Sequence, residues 1–213
     1  MYYFLSKITY IVVYILVHIF SVPIIFSGIG NLKNLKGPVI IASNHESRLD
    51  PIFIAYFISF INRKNIDIRF YAWHVYYDMP VLGWYIKAMK SLRLINKQGL
   101  NILDEGVDLL KKKHIIGIFP EGKIKKVTEK DKRGKRGISY LAWKSKSDII
   151  PIYLNYKRRW ANIPIFYQME FVVGKKFRIY DIIKSESDLQ KGSDIVIQKI
   201  YELKPNKNNI EKI

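Results

Sequence analysis

The sequence predicts an α/β fold with a mixed, largely buried central sheet flanked by helices, and three observations predict it. Over residues 39–154, short β-branched apolar runs of strand length alternate with longer stretches of helical period. The runs at 39–42 and 115–119 are almost wholly apolar, as strands covered on both faces are. Both runs end abruptly, in Asn44-His45 and in Pro120-Glu121-Gly122, so polar side chains with chemistry to offer stand at strand ends. The 213 residues suffice for one domain with a full core.

Composition narrows the function. With 49% hydrophobic residues, 15 Tyr and 11 Phe, the chain is not disordered. It has no Cys, which excludes disulfides, thiolate nucleophiles and Cys-type zinc sites. The net charge of +18 asks for an anionic partner: nucleic acid, an acidic membrane surface or a phosphorylated substrate. Residues 111–146 hold 13 Lys and Arg against 3 Asp and Glu, more than half of that excess. Aromatic residues are few there and no nucleic-acid module motif appears, so no nucleic acid is expected. The stretch suits attachment to acidic lipid.

Residues 8–29 contain no Asp, Glu, Lys or Arg, and about 20 apolar residues cross a bilayer core as a helix. The expectation is a membrane-anchoring segment over residues 1–30. Pro23 and Gly28 leave two forms open, a full span or a helix broken near Pro23 and lying in one leaflet. A signal peptide competes, but the apolar core is long for one and no small-x-small cleavage site precedes Leu32. Lys33 and Lys36 after the segment, against Lys7 before it, favour a cell-membrane location with the remainder on the cytoplasmic side. Residues 31–204 are expected to form one folded domain, and residues 205–213 a mobile tail.

Within that domain, strands are expected at 39–42, 66–72, 92–95, 115–119, 148–154, 169–173 and 177–180. Helices are expected at 51–60, 80–85 onward, 101–113, 137–146 and 187–203. Residues 73–78 form a loop or short helix. Pro151 puts its strand near an edge or a bulge. Asp50-Pro51 reads as a helix start, with Asp at the N-cap and Pro first in the helix.

His45 and Asp50 are the sharpest pair. A His in a tight loop, with a carboxylate five residues on, can form a general base and its orienting acid. On one regular helix they would lie about 140° apart, so they must meet across the loop. The pair alone equally permits a loop His and a capping Asp.

The second strand end decides between them. Asn44-His45-x-x-x-x-Asp50, followed about 70 residues later by Phe119-Pro120-Glu121-Gly122, resembles the 1-acylglycerol-3-phosphate acyltransferase group of glycerolipid acyltransferases. Two weaker blocks are similar in order and spacing: Pro80 to Trp84 running on to Lys97, and Ile149 to Ile152. Arg136-Gly137 to Ala142 resembles the helix start that follows the third block. The likeness spans roughly residues 38–155.

This resemblance implies the fold of that family and transfer of a fatty acyl group from a thioester to a lipid hydroxyl. The donor is acyl-coenzyme A or acyl carrier protein. The expected acceptor is lysophosphatidic acid, giving phosphatidic acid in phospholipid biosynthesis; another lysophospholipid is the alternative. No metal and no cofactor beyond the donor are implied, and the partners are a phospholipid membrane, the lysophospholipid and the donor. His45 would be the base and Asp50 its orienting acid. The substrate-binding set is Asn44, Arg48, Arg93, Lys97, Phe119, Pro120, Glu121, Gly122 and Lys123. Glu121 either bonds a glycerol hydroxyl or pairs with a neighbouring Lys. Two positions depart from the pattern: Lys123 replaces a hydroxyl residue, and the phosphate-binding Arg is matched by Lys97, with Arg93 as rival. Lys holds phosphate without the bidentate fork of Arg.

Overall fold

Strand β2 (Val39–Ser43) is buried at all five positions, because helices cover the sheet on both sides of it. The computed structural model describes residues 7, 8, 11, 24–95, 100–124, 133–158 and 167–205. The other strands among them are β1 (Ile24–Ser27), β3 (Ile68–Trp73), β4 (Leu92–Leu94), β5 (Ile115–Ile118), β6 (Asp148–Arg158) and β7 (Tyr167–Val173). They form one seven-stranded sheet in the order β1-β7-β6-β2-β5-β3-β4. β6 and β7 pair antiparallel and every other neighbouring pair is parallel, so the sheet is mixed.

Period-two alternation divides the core. Val39 and Ile41 face α1 (Asp50–Ile61) and pack with its Ile54, Phe57 and Ile58. Ile40 and Ala42 face the opposite layer of α4 (Asp104–Lys111), α5 (Gly137–Ser145) and α6 (Leu189–Tyr201), meeting Leu110, Leu141 and Val196. Each of these Val, Leu, Ile and Phe side chains, fully buried, contributes about 1.5–3 kcal/mol. α1 carries the first face almost alone. It is apolar nearly all round because its outer side lines a cavity, described below. Two short helices, α2 (His74–Tyr77) and α3 (Pro80–Ala88), close the β3–β4 end.

Four expectations need correction. Ile24–Ser27, read from sequence as the tail of the apolar segment, is an edge strand in parallel register with β7. Ile24 and Phe26 pack on the core while Ile25 and Ser27 are more exposed, an alternation that a continuous apolar run conceals. Residues expected to belong to the anchoring segment thus take part in the sheet. Residues 1–6, 9–10 and 12–23 of the expected anchor lie outside the described residues, as do residues 206–213 of the expected tail. Among the described residues, no helix is long and apolar enough to cross a membrane.

Pro151 lies in an inner strand, not at an edge, because β6 sits between β2 and β7. Its carbonyl accepts from Gly174 N–H at 2.9 Å, so its nitrogen faces the same side. There β7 has just ended at Val173, and no ladder donor is demanded of Pro151. The strand expected at 177–180 reduces to one bridge, Ile149 to Phe177. The helix expected at 101–113 starts as a 3-10 turn, Asn101–Leu103, before α4 begins.

Candidate active site

Parallel register brings the two strand ends together. Ala42 stands opposite Ile118 across β2 and β5, so Asn44-His45 and Phe119-Pro120-Glu121 leave the sheet side by side at its carboxyl edge. In α/β sheets this is where ligands bind.

Asn44 secures the first of these ends. It is 1% exposed. Its Oδ1 accepts the N–H of Leu154 at 2.7 Å, and its Nδ2 donates to the carbonyl of Leu154 at 2.8 Å. The amide thus extends the β2–β6 ladder one residue beyond Ser43 opposite Ile152. Both ends of its amide are engaged by β6.

The next residue, His45, lines the cavity. Its Nδ1 lies 2.8 Å from Oδ2 of Asp50. An anionic acceptor requires a proton on Nδ1, which leaves the Nε2 lone pair free to accept one. The imidazole stacks on Phe119 with centroids 4.0 Å apart and 14° between planes. Phe119 stacks in turn on Phe70 of β3, so the ring of His45 is fixed on a face and at one edge.

Asp50 is 0% exposed. A carboxylate so buried must be compensated. Its Oδ2 accepts from His45 and from the N–H groups of Glu46 and Ser47, each at 2.8 Å. Its Oδ1 accepts from the hydroxyl of Tyr156 at 2.5 Å. The expected capping role is absent: Leu49 is the N-cap, Asp50 opens the helix, and no side-chain cap bond forms. The side chain folds back into the loop instead.

The second strand end turns at Phe119–Gly122, closed by Gly122 N–H to the carbonyl of Phe119 at 3.0 Å. Gly122 has φ +71°, a left-handed conformation that only Gly adopts without strain. A Cβ there would also meet Cγ of Lys135 at 3.0 Å. Phe119, Pro120, Gly122 and Lys123 line the cavity. Glu121, expected to bond a glycerol hydroxyl or a neighbouring Lys, is held here by two donors of the protein itself. Its Oε1 accepts from the hydroxyl of Tyr201 on α6 at 2.6 Å, and its Oε2 from the N–H of His45 at 3.4 Å. Burial pushes the Glu121 carboxyl up, against the lowering effect of the Tyr201 hydrogen bond.

Of the expected anion-binding residues, Arg48 lines the cavity, its guanidinium 5.7 Å from the Tyr76 ring centroid. Arg93 is turned away. It pairs with Asp78 at 2.5 Å on the surface, while the next residue, Leu94, faces the cavity. Strand alternation allows only one of these two inside. Lys97 lies outside the described residues. Lys135, not singled out in the sequence, lines the cavity beside Gly122. Tyr156 and Tyr201 were also not foreseeable: each reaches a carboxylate 106 or 80 residues away, and no local pattern marks them.

The cavity has a volume of about 1760 Å³. From His45 it runs along Ile52 and Tyr56 of α1, Phe70 of β3, and Met79 and Ile86 beside and within α3. Its wall is mostly apolar, and Arg48, Lys123 and Lys135 put cations on it near the loop of His45. A base poised at the wall of a large apolar space can deprotonate a hydroxyl on an amphipathic molecule.

Residues 23–155, more than half of the chain, match the family model described as Acyltransferase. The chain belongs to the acyltransferase family. It is therefore an acyltransferase, with the mixed α/β sheet expected of one. This acyltransferase also resembles the crystal structure of the 1-acyl-sn-glycerophosphate acyltransferase PlsC from Thermotoga maritima. The TM-score is 0.56 at 18% identity, over 91% of this chain and 81% of that one. At that identity the likeness shows a shared fold. No curated protein matches the sequence.

Proposed function

We propose that this acyltransferase moves a fatty acyl group from a thioester to the free hydroxyl of 1-acylglycerol 3-phosphate at a membrane surface, giving phosphatidic acid. One observation carries the reading: the His45–Asp50 pair opens onto an apolar cavity of about 1760 Å³ with Arg48, Lys123 and Lys135 along it. The apolar wall suits acyl chains and the cations suit the acceptor phosphate.

In this reading Nε2 of His45 takes the hydroxyl proton as the oxygen attacks the thioester carbonyl carbon. Asp50 holds the imidazolium that forms. The tetrahedral intermediate collapses with loss of the C–S bond, and the leaving thiolate receives the proton from His45. The ester forms and His45 returns to its neutral state. Donor and acceptor meet directly, and the absence of Cys accords with that. The donor is acyl-coenzyme A or acyl carrier protein.

Membrane association is supported by large apolar side chains that are exposed yet line the same cavity, among them Leu49, Phe60, Trp73, Met79, Leu82 and Ile124. Exposed apolar residues rimming a cavity are costly in water and favourable against lipid. The net charge of +18 favours the acidic cytoplasmic leaflet.

An acyl-transfer assay tests the proposal, with labelled acyl-coenzyme A and acyl carrier protein as donors and lysolipids of differing headgroup as acceptors. Turnover is expected to be fastest with 1-acylglycerol 3-phosphate and lost in His45→Ala. No transfer to any lysolipid, or preference for an acceptor without a phosphate monoester, would overturn it.

A further inference from the structure

We propose that Tyr156 is a positioning residue of the His45–Asp50 pair: its hydroxyl, 2.5 Å from Oδ1 of Asp50, fixes the carboxylate and draws charge from the oxygen that holds His45. This rests on the acyl-transfer reading of the site.

The length of β6 delivers the tyrosine. β2 ends at Ser43, opposite Ile152, whereas β6 continues to Arg158 paired only with β7. Ile152, Leu154 and Tyr156 share the face that packs towards α1. The overrun therefore carries a phenol beneath the first residue of α1, where Asp50 is fully buried.

The two oxygens of Asp50 are held differently. Oδ2 is a pivot, bound by two backbone N–H groups and His45. Oδ1 is bound by Tyr156, which stops rotation of the carboxylate about that pivot. Burial, reinforced by the charge of Asp50, pushes the Tyr156 phenol far up, so it remains a donor at any working pH. The ionisable groups around Asp50 are His45 on its loop, Tyr156 on β6, and Glu121 beyond the end of β5; Glu46 acts on Tyr156.

Tyr156→Phe removes the donor and keeps the ring. The carboxylate then holds more charge and favours the imidazolium. The expected result is a kcat about tenfold lower with KM changed less than about twofold. The acidic limb of the pH–rate profile should move up by about half to one pH unit. An unmoved limb with wild-type kcat would overturn the proposal, and so would a fall in kcat that vanishes once the folded fraction is corrected for. If the wild-type chain transfers no acyl group, the functional reading fails, but the inference is still read by NMR titration of the His45 ring in the wild-type and Tyr156→Phe chains. An upward displacement supports it and an unchanged titration overturns it. Should Tyr156→Phe not fold, Tyr156→Gln retains an N–H donor; a wild-type limb supports the proposal and a displaced limb in the folded variant overturns it.

Discussion

The side chain of Asn44 and the backbone of Leu154 exchange two hydrogen bonds, of 2.7 and 2.8 Å, and so tie the loop of His45 to β6. Asn44→Ala leaves a buried N–H and a buried carbonyl unpaired. The expected loss of stability is about 2 kcal/mol or more, measured by urea unfolding. A loss below about 0.5 kcal/mol would mean that the ladder does not need this amide.

The neighbouring pair predicts a separation of folding from turnover. Asp50→Asn keeps the shape but offers His45 an amide in place of an anion, and either tautomer of the ring can then bond to it. Turnover should fall by about a thousandfold or more, by analogy with the orienting acid of a Ser-His-Asp triad. The circular dichroism spectrum should stay native. Activity within tenfold of wild type would remove Asp50 from the orienting role.

Glu121 predicts a pH dependence of stability. Burial raises its carboxyl in the folded state. Between the ordinary glutamate value and that raised value, the folded chain binds more protons than the unfolded one. Stability from this group is therefore present at low pH and lost as pH rises through the folded value. Glu121→Gln has no such titration. Its stability relative to wild type should climb from about pH 4 towards neutrality, read from unfolding midpoints across that range. A flat difference would show that Glu121 keeps an ordinary carboxyl.

Much of the site was legible because it is local. His45 and Asp50 lie five residues apart and the Phe119–Gly122 turn is contiguous, so both could be read as strand-end chemistry. The supporting groups are tertiary and were not legible. Tyr156 reaches Asp50 only because β6 overruns β2, and Tyr201 reaches Glu121 only because α6 packs over that edge. The tie from Asn44 to β6 was not legible either, because its partner Leu154 lies 110 residues away. Strand alternation sets Arg93 beside Asp78 on the surface, with Leu94 taking the inward place. β1 was hidden because an edge strand inside a continuous apolar run looks like more of the run.

The cationic wall predicts a headgroup effect. Arg48→Ala and Lys123→Ala each remove a charge lining the cavity. A partly exposed contact to phosphate is worth about 1–2 kcal/mol, so KM for a phosphorylated acceptor should rise about tenfold, with kcat little changed. KM for an uncharged acceptor such as monoacylglycerol should not move. Equal rises for both acceptors would show that these residues shape the wall without reading charge.

The exposed rim predicts where lipid touches. Trp73, Met79 and Leu82 lie on or beside α2 and α3, exposed between 39% and 45%. They are carried on a short helical hairpin whose close approach is set by Gly83, where a Cβ would lie 2.2 Å from the carbonyl oxygen of Tyr77. Replacing Trp73 and Leu82 by Ser removes apolar area without touching His45. Sedimentation with vesicles of mixed neutral and anionic phospholipid should show several-fold weaker binding. Turnover of a short-chain, water-soluble acceptor should persist. Unchanged sedimentation would show that the rim does not bind lipid, and loss of turnover on the soluble acceptor would show that the rim shapes the cavity itself.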